Sequence, residues 1–165
     1  MSTDELLIRG GHGSRVELRP HTLGDVRAML AAMSEAERAE VSPEWLARLD
    51  SMNEPDPWVV GFAVVLRDDG SVIGTAGFKG PPGADGVVEI AYGVAPEHQG
   101  KGYATEAAEA LVALALRSGR VRVVRAHTRP GPNASTRVLE KCGFRNLGEV
   151  IDPEDGLVWR WERKG

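Results

Sequence analysis

The sequence predicts a mixed α/β fold of the α+β kind, in which helices flank one central sheet. Apolar residues recur at helical spacing in two early segments, and valine-rich runs alternate with turn signals through the middle. Strand and helix patterns then alternate toward the C-terminal end. A length of 165 residues, with 42% hydrophobic and 27% charged residues, is typical of one globular domain. We therefore expect a flexible, glycine-rich leader over residues 1–15 and a single domain over residues 16–165.

The N-terminal third is predicted to hold one strand and two helices. Residues 16–19 alternate apolar and polar side chains, which favours a short strand. Thr22 with Asp25 forms a capping-box pattern ahead of apolar residues at helical spacing. A Ser-Pro pair at residues 42–43 marks the start of a second helix, which residues 53–57 end.

The rest of the chain is predicted to be strands around two helices. Strands over residues 58–66 and 71–78 meet at an Asp-Asp-Gly turn, and a third strand follows over residues 87–94. Alternation along that third strand places Glu89 on the face opposite its apolar residues. The later elements are a helix over 102–117, a strand over 120–128, a helix over 133–142, and a hairpin of 144–151 with 157–163.

Composition excludes several classes of protein. A net charge of −4 disfavours a protein held to nucleic acid by bulk positive charge. The single cysteine, Cys142, excludes an intrachain disulfide and a cysteine-based zinc site, and the four histidines show no metal-ligand spacing. No apolar run reaches the roughly 18–20 residues of a membrane helix, and no signal-peptide pattern is present. We expect a cytoplasmic protein with no metal and no membrane partner.

The stretch from Val94 to Ala104 carries the clearest functional pattern. A strand ends, a turn with two glycines follows, and an alanine-rich helix begins. Such a turn offers unpaired backbone N–H groups and the positive end of a helix dipole to phosphate oxygens. Neither a Walker loop nor a dinucleotide fingerprint fits the spacing. By itself, the pattern is also compatible with an ordinary helix start.

Three segments together resemble the GNAT N-acetyltransferases. Residues 99–104, Gln-Gly-Lys-Gly-Tyr-Ala, match that family's acyl-CoA turn, Gln/Arg-x-x-Gly-x-Gly/Ala. Residues 88–96 resemble its central strand, and residues 133–144 resemble its second signature, which ends in Glu-Lys-x-Gly-Phe. The resemblance is strong over residues 87–144, and it is nearest to the RimJ/RimL branch of ribosomal-protein alanine acetyltransferases.

The resemblance implies a mostly antiparallel, twisted sheet of about six or seven strands. A central strand pair in it would splay to admit the pantetheine arm of acetyl-CoA, the expected cosubstrate. Lys101 and Arg137 would add charge near the phosphates, although both are equally credible as surface residues. Asn133 is equally credible as a helix N-cap, because the family's asparagine position here is Pro132. The cofactor-binding residues implied are Tyr92, Val94, Gln99, Gly100, Lys101, Gly102, Tyr103, Ala104, Asn133, Ser135 and Arg137.

Glu89 is the candidate catalytic residue. A carboxylate in mid-strand near the expected splay is placed to accept a proton from an amine that attacks the thioester. The alternative is a solvated strand face or a charge that only orients the acceptor. The tyrosine that many relatives carry in the second helix as general acid is missing, since Leu139 and Glu140 occupy the nearby positions. Water or Tyr103 would have to serve.

Cys142 and His127 are two further candidates for a catalytic role. Cys142 suits an acyl-cysteine intermediate, but its apolar helix stripe indicates plain burial. His127 lies in a strand beside the second signature, which makes it a weaker candidate for the site.

The sequence therefore predicts an acetyl-CoA-dependent enzyme that acetylates a primary amine by direct attack in a ternary complex. The acceptor partner is a small-molecule amine or a peptide, including a protein N-terminus. The alternatives are a non-catalytic acyl-CoA-binding regulator on the same fold and a structural domain with a degenerate turn. An acidic segment over residues 34–56 either attracts a cationic acceptor or is simply solvated. The oligomeric state, monomer or homodimer, stays open.

Overall fold

The computed structural model describes residues 8–9 and 14–165, and it shows one sheet flanked by helices. The strands are β1 (Ile8–Arg9), β2 (Val16–Pro20), β3 (Phe62–Leu66), β4 (Val72–Phe78), β5 (Val87–Val94), β6 (Val123–Thr128), β7 (Arg145–Asp152) and β8 (Gly156–Lys164). The helices are α1 (Leu23–Ala32), α2 (Glu35–Ala39), α3 (Pro43–Asp50), α4 (Pro57–Val60), α5 (Tyr103–Arg117) and α6 (Ala134–Lys141). A 3-10 turn over Pro96–His98 precedes α5.

The sheet is mostly antiparallel, as predicted. Its strand order is β1-β2-β3-β4-β5-β6-β8-β7, and β5–β6 is the parallel pair among otherwise antiparallel neighbours. The described part of the chain contributes eight strands, against the six or seven expected, because residues 8–9 pair with residues 17–18 at one edge. Residues 8–9 of the predicted leader form this edge strand. Residues 1–7 and 10–13 of the leader lie outside the described part, so its flexibility stays a prediction.

Local capping explains where the early helices begin. Thr22 Oγ1 accepts from the N–H of Asp25 at 3.0 Å, and Asp25 Oδ2 accepts from the N–H of Thr22 at 2.9 Å, which confirms the capping box of α1. Ser42 caps α3 with proline as the next residue, also as predicted. No helix within residues 14–165 is long and apolar enough to cross a membrane.

Two early elements differ from prediction. The predicted strand over residues 58–66 begins as the short helix α4, because Asp56 accepts from the N–H of Trp58 and Pro57 suits a first helical turn. Gly61, with a φ of 72°, then turns the chain into β3. Helix α2 was missed, although Ser34 and Glu37 form a second capping box.

The core lies between the sheet and α5. Helix α5 turns Ala107, Ala108, Leu111 and Ala115 inward, and these small side chains let its axis approach β5 and β2 closely. A second, smaller cluster of buried apolar side chains packs α1, α3 and α4 together. Trp45 and Met52 pack against this cluster.

The central strand pair separates partway along its length. Strands β5 and β6 pair only over residues 87–89 with residues 123–125. Beyond Glu89, strand β5 stays paired with β4 up to Val94, while the described residues of β6 pair with β8 instead. This opens a gap between β5 and β6, as the resemblance implied.

Candidate active site

Two glycines in the left-handed region shape the turn ahead of α5. Gly100 has a φ of 76° and Gly102, the residue before the helix, has a φ of 86°. Other residues adopt this conformation at a cost of roughly 1–2 kcal/mol. Within the described part of the chain, no side chain caps the N-terminus of α5. The first amides of the helix therefore point outward with the positive end of its dipole, which suits an anion.

Arg15 holds this turn in place. Its Nη2 donates to the carbonyl oxygen of Lys101 at 2.7 Å, and its Nε donates to Oε2 of Glu106 at 2.8 Å. The guanidinium also lies 4.4 Å from the centre of the Tyr103 ring. Burial raises the pKa of Glu106, but hydrogen bonds from Arg15 and Ser14 outweigh it and leave the pKa lowered. Sequence reasoning missed Arg15, because these partners lie 86 and 91 residues away along the chain.

A cleft of about 320 Å³ lies against this turn, between α5 and α6. Seven predicted cofactor residues line it: Val94, Gln99, Gly100, Gly102, Tyr103, Ala104 and Arg137. Sequence reasoning missed its other lining residues, His98, Thr105, Ala134, Val138 and Lys141. Arg137 and Lys141 stand one helical turn apart on α6, so two cations face the cleft beside the outward amides. Their spacing of four residues was the signal that could have identified Lys141.

The gap between β5 and β6 carries exposed backbone groups. The carbonyl of Glu89 accepts from Lys79 on the β4 side, so alternation turns the N–H and C=O groups of Tyr92 and Val94 toward the gap. Gln99 Nε2 donates to the carbonyl of Val94 at 2.9 Å, which links the turn to this strand edge.

Four predicted cofactor residues lie outside the lining of the cleft: Tyr92, Lys101, Asn133 and Ser135. The amide of Asn133 caps α6, with its oxygen accepting from Thr136 N and its nitrogen donating to two loop carbonyls. Ser135 shares a hydrogen bond with the Tyr92 hydroxyl, and burial raises the pKa of that hydroxyl well above its ordinary value. Lys101 is exposed. Cofactor contacts by these residues stay predictions.

Glu89 lies in a row of polar side chains that crosses the sheet. Its Oε2 is 3.0 Å from Nζ of Lys79 and 3.2 Å from Nδ1 of His127. Oδ1 of Asp152 lies 4.0 Å from the same histidine nitrogen. Burial lowers the pKa of Lys79, but attraction and hydrogen bonds to Glu89 and Asp155 outweigh it and leave the pKa raised. The side chain of Glu89 is 19% exposed, so the carboxylate is held yet reachable.

Glu89, His127 and Asp152 lie close enough together to be considered as metal ligands, with ligand atoms within 4.8 Å of one another. Two contacts oppose this use. The ammonium of Lys79 already neutralises the Glu89 oxygen on that side. Arg160 Nε donates to Nε2 of His127 at 3.1 Å, which places the ring proton of the neutral imidazole on Nδ1, the atom that faces the carboxylates. The donor set therefore fits a hydrogen-bonded carboxylate better than a metal ion.

Cys142 is buried, as predicted. Its thiol is directed at the carbonyl oxygen of Thr105 at 3.7 Å, and burial raises its pKa from an ordinary 9.0 to about 11. A thiol of this kind is almost wholly protonated near neutral pH and is a poor nucleophile.

A second cleft, of about 370 Å³, opens beside β4 and β5. Ala91 and Gly93, which share a strand face with Glu89, form part of its floor. His21, Met29 and Val59 contribute from the early segments of the chain. Ala91 and Gly93 carry small side chains or none, which leaves this space open next to the row that holds Glu89.

Solved structures share this arrangement of strands and helices. RimL, a ribosomal alpha-N-protein acetyltransferase in complex with coenzyme A, superposes with a TM-score of 0.69 at 18% identity, over 96% of this chain and 97% of that chain. An aminoglycoside acetyltransferase in complex with coenzyme A gives a TM-score of 0.65 at 24% identity, over 90% and 94% of the two chains. These likenesses place the molecule in the N-acetyltransferase fold class.

The family follows from sequence comparison. The family model described as Acetyltransferase (GNAT) domain matches residues 15–145, and the chain belongs to this family. The uncharacterized N-acetyltransferase YjdG of Bacillus subtilis is 34% identical over 89 residues, 54% of this chain and 51% of that protein. The uncharacterized N-acetyltransferase p20 of Bacillus licheniformis is 30% identical over 93 residues, 56% and 52% of the two. The chain thus aligns with about half the length of these curated relatives.

Proposed function

We propose that this protein transfers an acetyl group from acetyl-CoA to a primary amine by direct attack within a ternary complex. The observation that carries the proposal is the gap between β5 and β6, which starts at Glu89 and runs toward the glycine turn. Along the edge of β5, this gap, which we call the groove, leads from the carboxylate of Glu89 past the strand-edge groups of Tyr92 and Val94 to the glycine turn. That order matches the reacting thioester, the pantetheine arm and the pyrophosphate of acetyl-CoA.

The residues of the groove fit this cosubstrate. The outward amides after Gly102, with Arg137 and Lys141 on α6, would hold the pyrophosphate. The N–H and C=O groups of Tyr92 and Val94, which face the gap and are not paired with β6, would pair with the amides of the pantetheine arm as a neighbouring strand does. The Gln99 side chain would then exchange its bond to the Val94 carbonyl for one to the arm or to solvent.

Glu89 is proposed to accept the proton of the attacking amine. A lysine-like amine with a pKa of about 10.4 is almost fully protonated at neutral pH and must lose a proton to become nucleophilic. The carboxylate of Glu89, whose Oε2 faces Lys79, lies where β5 and β6 separate. The thioester of bound acetyl-CoA would end at this point. Direct attack is favoured over an acyl-enzyme because Cys142 is buried with a raised pKa.

The acceptor is proposed to enter through the second cleft, on the Glu89 face of β5. Solved structures of similar fold include an aminoglycoside acetyltransferase, a spermidine N-acetyltransferase chimera and RimL, a ribosomal alpha-N-protein acetyltransferase. All three acceptor kinds carry a primary amine, so we propose that class and no single member of it. The placement of Glu89 supports an enzyme over a non-catalytic regulator.

A mass-spectrometric acceptor panel tests the proposal. The protein is incubated with acetyl-CoA and, separately, a peptide with a free N-terminus, spermidine and an aminoglycoside. We expect acetylation of at least one acceptor, with matching release of CoA thiol, and a much lower rate for Glu89→Gln. If the protein binds acetyl-CoA by calorimetry but acetylates no amine, the regulator alternative replaces the enzyme.

A further inference from the structure

We propose that His127 and Arg160 form a positioning pair that fixes the Glu89 carboxylate, so that Oε1 of Glu89 is the atom that takes the proton of the attacking amine. The inference rests on the proposed function and deepens it. His127 and Arg160 are direct cross-strand partners on β6 and β8. Glu89 reaches the same row from β5, where its partner in β6 lies two residues before His127.

Arg160 determines which nitrogen of His127 carries the proton. Its Nε lies 3.1 Å from Nε2 of His127 in a hydrogen bond, and an arginine side chain can only donate. Nε2 must therefore offer its lone pair, and the neutral ring keeps its proton on Nδ1. Without this contact, the neutral imidazole of His127 could adopt either tautomer.

The protonated Nδ1 is directed at carboxylates. The side chain of His127 is 4% exposed, and Nδ1 has no hydrogen-bond partner among the described residues. Oε2 of Glu89 nevertheless lies 3.2 Å away, which is bonding distance with an unfavourable angle. Because a buried N–H without an acceptor is unfavourable, a small rotation of the Glu89 carboxylate toward it is favoured. Asp152 is the more distant acceptor, at 4.0 Å.

Lys79 and His127 both lie nearest to the same oxygen of the Glu89 carboxylate. Lys79 Nζ and His127 Nδ1 both approach Oε2 of Glu89, at 3.0 and 3.2 Å. The closest contact of each of these two groups with the carboxylate is to Oε2 and not to Oε1. Oε2 thus faces both nitrogen atoms, and we assign Oε1 to the attacking amine. The protonated amine gives one proton to Oε1, and the electron pair left on nitrogen forms the new N–C bond as the C–S bond breaks. The second proton lost from nitrogen neutralises the departing CoA thiolate.

The surrounding carboxylates have their own partners. Oδ2 of Asp152 accepts from the backbone N–H groups of Glu154 and Asp155, and the Asp155 side chain bonds Lys79. Burial raises the pKa of Asp152, but chiefly these backbone bonds, together with attraction to Lys79, leave it lowered. Asp152 therefore stays ionised beside His127 and adds to the negative field that keeps the ring proton on this side.

Imidazole nitrogen spectra test the tautomer without any activity measurement. Two-bond proton–nitrogen correlations at mildly alkaline pH should show His127 with a protonated Nδ1, its signals being assigned by their loss in His127→Asn. Arg160→Met should shift the ring toward the other tautomer. A wild-type His127 protonated at Nε2 would overturn the inference, whether or not the protein proves to be an acetyltransferase.

Matched variants test the positioning role. His127→Asn keeps an N–H donor near the place of Nδ1, whereas His127→Leu keeps volume and removes the donor. His127→Leu should lower kcat by up to roughly 100-fold, the scale of misplacing a reacting group by about 1 Å, with the acetyl-CoA affinity unchanged. His127→Asn should recover most of that loss. Equal kcat values for Asn and Leu would overturn the role. Absence of transfer by the wild-type protein would instead overturn the proposed function.

Discussion

The guanidinium of Arg15 lies 4.4 Å from the ring centre of Tyr103 and pairs with Glu106 in the same helix turn. Arg15 also bonds the carbonyl of Lys101 between the two turn glycines. One side chain near the start of the domain thereby fixes the turn that we propose binds the pyrophosphate. The contacts are partly exposed, so their energetic effect is modest and their effect on geometry matters more.

Arg15→Ala should weaken acetyl-CoA binding through this geometry. An exposed ion pair contributes at most about 1 kcal/mol, so we expect a loss of affinity of up to about fivefold by calorimetry. Arg19→Ala is the matched control, because Arg19 is equally exposed and pairs with Glu17 away from the turn. Equal affinities for the two variants would show that Arg15 does not shape the site.

Gly102→Ala should lower both stability and acetyl-CoA affinity. The φ of 86° strains any other residue by roughly 1–2 kcal/mol, and a Cβ would lie 3.2 Å from Nη2 of Arg15. Gly70→Ala carries the same kind of strain at a φ of 76°, in the turn between β3 and β4. Thermal unfolding should fall in both variants, whereas calorimetry should detect a binding loss only in Gly102→Ala.

Glu89→Gln should lower kcat and leave the acetyl-CoA affinity nearly unchanged. General-base assistance is worth roughly 10²- to 10⁴-fold, and glutamine keeps the shape but cannot take the proton. Higher pH should recover part of the rate, because more acceptor arrives already neutral. Glu162→Gln is the control, since Glu162 is also 19% exposed and pairs with Arg125 on β6. A rise in acceptor KM with an intact kcat would make Glu89 a binding residue instead.

Cys142→Ala should remain active and change the pH dependence of stability. Burial raises the pKa of Cys142 to about 11, above an ordinary value of 9.0. The unfolded thiol therefore ionises first, and the wild-type free energy of unfolding should fall as pH rises from about 9 to 11. The alanine variant should lose this component of the slope in denaturant titrations. An acetylated Cys142 peptide, trapped during turnover, would contradict direct transfer.

Local patterns in the sequence predicted the elements that depend on nearest neighbours. The capping box at Thr22 and Asp25, the Ser-Pro start of α3 and the glycine turn at 100–102 all appear where expected. The strand predicted for residues 58–60 was wrong, because an apolar run is compatible with both a strand and a buried helix. Only the contacts of Asp56 and Gly61 distinguish the two, and these became clear from the structure.

The sequence alone was enough to predict the family, the glycine turn ahead of α5, the burial of Cys142 and the carboxylate in the central strand. Those features depend on residue type and short spacing, which a linear pattern records. The folded chain brings Lys79 and His127 to Glu89, Arg160 to His127, and Arg15 to the glycine turn, and no local pattern records these contacts. Strand register places these side chains together across four strands, and a shift of one residue would turn each to the opposite face.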